Sequence, residues 1–202
     1  MNIPIFFFSG TGNTWWCAGK TAESLERQGH DAVPWSIEKL NPGKTEEIVY
    51  ASDIIGIGYP VYGSALPQPM KDFILQLLPC LEPPGKKVFV FCTQLMFSGD
   101  GAMVFSGELE EKGYRVRWSI HFRMPNNICV TVLPIPYTTD RKKIGRRLAK
   151  TEKRIDSFVN ALDSGKEFAQ GKSRCSASLG KLQRNPYRKL WNRLRNDVSI
   201  DF

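Results

Sequence analysis

The chain has 202 residues and a mass of 22.9 kDa, which is enough for one α/β domain with a modest appendage and too little for two full-sized domains. Its net charge of +8 is unevenly spread. Residues 1–140 carry 11 basic and 14 acidic side chains, a net of −3, whereas residues 141–202 carry 17 basic and 6 acidic ones, a net of +11. The last third of the chain is therefore the place where an anionic partner would bind.

Several classes of protein are excluded by composition. No apolar run reaches the roughly 20 residues that a transmembrane helix needs, and the first residues lack the basic and apolar regions of a signal peptide. Five widely spaced cysteines without a CxxC pair, and only two histidines, argue against disulfides and against a metal site. We therefore expect a cytoplasmic protein without a transmembrane segment and without a metal.

Short runs rich in apolar, β-branched and aromatic residues predict five strands. Because these runs are nearly continuous rather than alternating, we expect helices on both faces of the sheet. The predicted strands span residues 3–8, 32–37, 53–59, 87–93 and 114–122. Helical patterns follow at residues 14–28, 68–78 and 101–112, and from an N-cap at Asp140 to Gly165. Strands that alternate with helices indicate a doubly wound parallel sheet.

The sequence predicts a domain over residues 1–165 and a basic extension over residues 166–202. Residues 166–184 are rich in Gly, Ser, Lys and Gln and predict a linker. Asn185-Pro186 then begins a short helix with an apolar face opposite a basic one. That apolar face consists of Tyr187, Leu190, Trp191 and Leu194. The basic face is either simply solvated or binds an acidic partner or an anionic membrane surface; nothing resembles a nucleic-acid-binding module, and no nucleic acid is expected.

The first predicted strand and helix are joined by Ser9-Gly10-Thr11-Gly12-Asn13-Thr14. Glycines let the backbone approach an anion closely, hydroxyl and backbone N–H groups donate to it, and the helix dipole adds positive potential. We therefore predict that these six residues bind a phosphate monoester.

Three alternative interpretations of this segment fit less well. An ordinary turn needs no ligand, but it does not require so many glycines and hydroxyls. A dinucleotide-binding GxGxxG pattern would put Trp15 at the third glycine. A Walker A loop that ends at Gly19-Lys20-Thr21 would need a glycine at Thr14 and would place its lysine inside the helix.

The same six residues resemble the flavodoxin signature, a Ser or Thr, any residue, then Thr-Gly-x-Thr, which wraps the phosphate of FMN. Residues 59–63, 66–67 and 70–74 resemble the flavin-ring loop and following helix of prokaryotic proteins that fuse a flavodoxin domain to a two-cluster ferredoxin. Met124-Pro125-Asn126-Asn127 is also typical of those proteins. The resemblance covers about residues 1–165 and implies a flavodoxin-like α/β fold with a five-stranded sheet of order 2-1-3-4-5.

An FMN site is implied by this resemblance at the carboxyl ends of strands 1 and 3, where the strand order reverses. Tyr62 would stack on the isoalloxazine, and backbone groups near Val61 and Gly63 would bond its polar edge. The loop after strand 4 would close the other side. The cofactor-binding residues expected besides the six of the first loop are Pro60, Val61, Tyr62, Gly63, Thr93, Gln94, Ser98 and Gly99.

The function implied by the resemblance is FMN-dependent electron transfer, exchanging electrons with a ferredoxin or another iron–sulfur protein in anaerobic metabolism. Two alternatives stay open: a flavodoxin-like reductase of a small acceptor such as a quinone, and a flavin-free phosphoester-binding or scaffold module. No residue pattern predicts a catalytic side chain. The fused relatives continue into cysteine-rich cluster motifs, so we expect either a piece of a longer protein or a natural member without the clusters.

Overall fold

The computed structural model describes residues 1–126 and 139–196, and the side chains of residues 1–126 and 139–185. The strands in this part of the chain are β1 (Asn2–Phe7), β2 (Asp31–Ser36), β3 (Ile54–Pro60), β4 (Lys86–Gln94), β5 (Tyr114–Arg123) and β6 (Phe168–Ala169). The helices are α1 (Asn13–Arg27), α2 (Pro42–Tyr50), α3 (Gln68–Asp72), α4 (Ser106–Glu111), α5 (Arg141–Asp163) and α6 (Arg174–Asn196). None of the helices described is long and apolar enough to cross a membrane.

The sheet is parallel throughout, and its strand order is β2-β1-β3-β4-β5-β6. The predicted doubly wound α/β architecture is confirmed, and the first five strands lie in the order that the resemblance implied. The prediction of only five strands is wrong, because residues 168–169 pair with Trp118 and Ser119 at the edge of β5. Gln170 extends this pairing by donating its backbone N–H to the Ser119 carbonyl.

Two apolar cores lie on opposite faces of the sheet, because the strands bury side chains in both directions. One core joins β4 and β5 to α1 and α5 and contains a group of aromatic rings, with Phe89, Phe122 and Phe158 in edge-to-face contacts. The other packs α2, α3 and α4 against the opposite face. Cys17 and Cys92 are fully buried, as expected for packing residues.

Glycines at two positions of β3 leave room for aromatic rings of the neighbouring strand. A Cβ atom at Gly56 would lie 2.3 Å from the ring of Phe89, and one at Gly58 would lie 2.1 Å from the ring of Phe91. Both rings therefore lie directly over the backbone of β3. This close approach explains why glycine, which otherwise weakens strands, occurs twice in this buried strand.

The structure differs from the sequence-based prediction at three helices. Helix α2, with its N-cap at Asn41, was not predicted. The pattern over residues 68–78 is a short α-helix that continues into a π-helical turn at Phe73–Leu77. Helix α4 begins at Ser106 rather than near residue 101, because residues 101–105 form turns. Helix α5 does begin after an Asp140 N-cap, whose carboxylate accepts from the backbone N–H groups of Lys142 and Lys143.

The linker predicted over residues 166–184 is wrong, because β6 and the first half of α6 occupy it. Ser173 caps α6 by accepting a hydrogen bond from the backbone N–H of Ser176, so the helix begins eleven residues before Asn185. Pro186 lies inside α6 rather than at its start. The side chains of the predicted apolar face at residues 187–194 lie outside the described residues.

We expect Gly58→Ala to destabilise the protein, because the added methyl group overlaps the buried ring of Phe91. Overpacking of this kind costs about 1–3 kcal/mol in free energy of unfolding, which urea unfolding followed by circular dichroism measures. The matched control is Gly19→Ala in α1, where nothing lies within 4 Å of the added atom. The control should be neutral or more stable by about 0.5–1 kcal/mol, and equal effects of the two substitutions would contradict this packing.

Candidate functional site

The first loop of the site runs from β1 into the N-terminus of α1. The Ser9 hydroxyl oxygen accepts hydrogen bonds from the backbone N–H groups of Gly12, at 3.2 Å, and of Trp15, at 3.1 Å. Gly12 has a φ of 90°, a conformation that favours glycine, and a Cβ atom there would have nothing within 4 Å. Backbone donors at the start of α1 thus converge on one oxygen atom beside open space.

The loop after β3 meets this first loop. Tyr62 and Ala65 form a tight turn closed by backbone hydrogen bonds in both directions, with Gly63 and Ser64 at φ values of 56° and 62°. Two successive positive φ values are typical of a type I′ turn. The hydroxyl oxygen of Tyr62 lies 3.1 Å from the position of a Cβ atom on Gly10. Two of the loops predicted to bind the cofactor are therefore in contact.

Thr93, at the end of β4, connects three of the predicted segments. Its hydroxyl is hydrogen-bonded to the hydroxyl of Thr14 at 2.9 Å in a buried position, and its carbonyl accepts from the backbone N–H of Val61. The Asn13 side chain donates to the Pro125 carbonyl at 2.9 Å, which adds the loop after β5. Residues that are far apart in sequence thus meet at one edge of the sheet, and Thr14 and Thr93 form the buried base beneath the first loop.

The loop after β4 is held from inside by a buried histidine. Ser98 donates to the side-chain oxygen of Gln94 and lies 3.4 Å from Nδ1 of His121, while Nε2 of His121 accepts from the backbone N–H of Ala102. Burial, together with the charge of Arg154, lowers the pKa of His121 to about 4. His121 is therefore neutral at neutral pH and acts as a structural acceptor.

Helix α6 covers the outside of the same loop. The backbone of Gly180 approaches Gly99 so closely that a Cβ atom on Gly99 would lie 2.5 Å from the Gly180 nitrogen. Arg184 forms a two-point ion pair with Asp100, at 2.5 and 3.0 Å, and donates to the Ser64 carbonyl at 3.1 Å. Helix α6 therefore ties the loop after β3 to the loop after β4.

The predicted residues of the loop after β4 are thus mostly buried. Ser98 and Gly99 lie beneath α6, and Gln94 faces Ser98. In contrast, Met96 and Phe97, which lie between Gln94 and Ser98 in the sequence, are 64% and 51% exposed. Trp15 is 62% exposed at the start of α1, whereas its neighbour Trp16 packs partly against the core.

Sequence reasoning missed two features of this edge of the sheet. The first is the contact of α6 with the loop after β4, because a Gly- and Ser-rich segment carries no local signal of packing. Gly180 is needed because its backbone lies close to Asp100, and this contact cannot be seen in the local sequence. The second is a basic cleft of about 940 Å³ beside the loop after β4, lined by α5, the end of β5 and residues 170–176. The repeat of cations at positions 143, 146, 147, 150 and 154 would have revealed the basic face of α5.

We expect Gly180→Ala to loosen α6 although alanine favours helix. A Cβ atom at residue 180 would lie 1.8 Å from a carboxylate oxygen of Asp100, which Arg184 holds in place. Amide hydrogen exchange across α6 should therefore become faster. Ser178→Ala, at an exposed position of the same helix, should leave the exchange unchanged; equal protection in both variants would contradict the packing of α6 on this loop.

We also expect His121 to make stability depend on pH. Its pKa of about 4 in the folded state lies below the ordinary value of 6.5, so the unfolded chain binds more protons between these pH values. The contribution of neutral His121 to the free energy of unfolding is complete above pH 6.5 and is lost as the pH falls towards 4. The loss reaches up to about 3 kcal/mol, at about 1.4 kcal/mol per pKa unit. Urea unfolding between pH 4 and 7 should show a flatter profile for His121→Gln than for the unsubstituted protein. Parallel profiles would contradict the burial of a neutral imidazole.

Comparison with known proteins identifies the fold. No protein-family model matches the sequence, and no curated protein matches it. Among solved structures, two-electron reduced flavodoxin from Megasphaera elsdenii is 26% identical, with a TM-score of 0.52, over 73% of this chain and 98% of that one. Oxidised Flavodoxin 2 from Bacillus cereus is 22% identical, with a TM-score of 0.57, over 82% of this chain and 99% of that one. Rubredoxin oxygen:oxidoreductase from Desulfovibrio gigas is 15% identical, with a TM-score of 0.56, over 81% of this chain and 36% of that one. The chain therefore has a flavodoxin-like fold.

Proposed function

We propose that this chain binds FMN and transfers electrons through it, exchanging them with a ferredoxin or another iron–sulfur protein. The observation that carries the proposal is the convergence of backbone donors in the Ser9–Asn13 turn at the N-terminus of α1, in contact with the Tyr62 loop. This is the place in a doubly wound sheet where ligands bind, next to the reversal of strand order between β1 and β3.

The first loop fits a phosphate group. The N–H groups of Gly12 and Trp15 already share one oxygen acceptor, the Ser9 hydroxyl, and a phosphate oxygen is a stronger acceptor of the same kind. Residues 9–16 contain no acidic side chain, so nothing in this segment repels an anion. The Thr14 and Thr93 hydroxyls carry two protons and use one in their mutual hydrogen bond, which leaves one for a further acceptor.

The isoalloxazine ring would be bound by the loops around Tyr62 and Met96. Tyr62 supplies an aromatic face next to the first loop, and Met96 and Phe97 supply exposed apolar surface on the loop after β4. When bound, FMN supplies one- and two-electron redox chemistry, and the chain contributes binding and orientation. The type I′ turn at Gly63 and Ser64 is fixed from outside by Arg184, which limits the movement of the loop that would contact the ring.

The proposed partner agrees with the surface around this site. Trp15, Met96 and Phe97 are large and exposed, and exposed apolar residues near a redox group offer a contact for a partner protein. Helix α5 and residues 174–185 of α6 carry 8 and 3 basic residues, so an acidic iron–sulfur protein would be attracted to this side of the molecule. The resemblance to flavodoxin halves of ferredoxin fusions supports the same partner class.

The test compares FMN with riboflavin, which lacks the phosphate. We expect Thr11→Ala to weaken FMN binding about tenfold, since a hydrogen bond to a charged group contributes about 1.5–3 kcal/mol, and to leave riboflavin binding nearly unchanged. Quenching of flavin fluorescence measures both affinities. Ser157→Ala, which removes an exposed hydroxyl on α5, is the control and should change neither affinity.

Electron exchange is then followed as bleaching of the bound flavin by a reduced ferredoxin under anaerobic conditions. Failure of the chain to bind FMN would overturn the whole proposal and favour a flavin-free phosphoester-binding module. Binding of FMN with rapid turnover of a quinone, but without exchange with ferredoxin, would replace electron transfer by the reductase activity.

A further inference from the structure

The basic cleft beside the loop after β4 is separate from the first loop of the site. None of residues 9–14 lines it, whereas Gln94, Met96 and Phe97 form the wall that it shares with the proposed flavin site. Its volume of about 940 Å³ lies within the usual range of ligand pockets, about 300–1,000 Å³. The cleft is thus large enough for a small molecule.

Six cationic side chains line the cleft: Arg123, Lys143, Arg146, Arg147, Lys150 and Arg154. Among the described residues that line it there is no Asp or Glu. Two carboxylates that lie close in sequence to lining residues have other roles: Asp140 caps α5, and Asp100 is paired with Arg184. The positive charge of the cleft is therefore not neutralised by carboxylates of its own lining.

Two arginines of the cleft are positioned by neutral acceptors. Arg154 donates to the side-chain oxygen of Gln170 at 2.8 Å, and Arg147 donates to the Leu95 carbonyl at 3.2 Å. Partial burial and the neighbouring Arg123 lower the pKa of Arg154, so the protein holds these cations together against their mutual repulsion. An anion placed between them would relieve that repulsion.

Neutral polar side chains complete the lining of the cleft, and they fix its walls rather than neutralise its charge. The Thr151 hydroxyl donates to the Arg123 carbonyl at 2.7 Å, and the Gln94 amide donates to the Met96 carbonyl at 3.3 Å. Ser176 belongs to the first turn of α6, where the helix dipole adds positive potential. A site with several fixed cations matches a compact ligand that bears more than one negative group.

We propose that this cleft binds a small polyanion, a molecule with at least two phosphate or carboxylate groups, as a second ligand site next to the loop after β4. The concave shape favours a small molecule over the convex surface of a protein. Because the cleft shares Met96 and Phe97 with the neighbouring site, the bound polyanion would lie beside the proposed flavin position without occupying the first loop.

The test is isothermal titration calorimetry with inorganic tripolyphosphate as the phosphate probe and citrate as the carboxylate probe, each with and without saturating FMN. We expect 1:1 binding of at least one probe, retained when FMN is present. Arg147→Gln combined with Lys150→Gln should weaken it at least about tenfold, because two charge-assisted hydrogen bonds are lost.

The matched control is Lys142→Gln combined with Lys153→Gln, which removes the same charge from α5 at positions outside the cleft lining. It should change the affinity less than about twofold, since only screened long-range attraction is lost. Circular dichroism verifies that both variants are folded, and Lys150→Gln alone provides a milder substitution. Equal losses of affinity in both double variants would show diffuse attraction and would overturn the proposed site. The proposal would also be overturned if neither probe bound, if addition of FMN abolished probe binding, or if an acidic protein bound and the small probes did not. The comparison of the two double variants can be made without FMN, so it tests the cleft even if the chain does not bind FMN.

Discussion

Parallel pairing of the described strands determines which loops meet and therefore where the candidate site lies. Because every crossover returns the chain to the same end of the sheet, the carboxyl ends of β1, β3, β4 and β5 meet at one edge. The loops after these strands therefore become neighbours although they are up to 115 residues apart in sequence (from Ser9 to Met124, for example). The pairing in turn requires β3 to accept aromatic rings from β4 at close range, which only the glycines at positions 56 and 58 allow.

Thr93 shows how the loops at this edge are held together. It stands at the end of a central strand, and its carbonyl and hydroxyl bond the loop after β3 and the start of α1. Both bonds lie beneath the surface, where little water competes and hydrogen bonds are stronger. His121 has the same role for the next loop, where it is kept neutral by burial and accepts from the backbone N–H of Ala102. The loops are thus fixed from below, while Thr11 and Gly12 are left at the surface.

The structure also shows where the basic residues of the last third of the chain lie. Of the net charge of +11 in residues 141–202, α5 carries +5, from 8 basic and 3 acidic side chains. Helix α5 packs on the sheet through Ile155, Phe158 and Val159, and its basic face borders the cleft, next to the loop after β4. Helix α6 contains 7 basic and no acidic residues, and Arg184 uses one of these charges to fix Asp100. Cations of this kind attract an anionic ligand from a distance and bind it on contact.

The alternation of strands and helices and the parallel sheet could be predicted from the sequence, because they follow from short-range periodicity. The glycine and hydroxyl residues of the turn between β1 and α1 are adjacent in the chain, so the candidate loop could be located in the same way. The sixth strand at residues 168–169 and the start of α6 at Arg174 could not be predicted from the sequence, because both depend on partners more than 45 residues away, such as Trp118 and Asp100. The cleft likewise exists only where α5, β5 and residues 170–176 meet. Local propensity describes a segment alone, whereas pairing and close backbone approach stabilise it only in the presence of its partner.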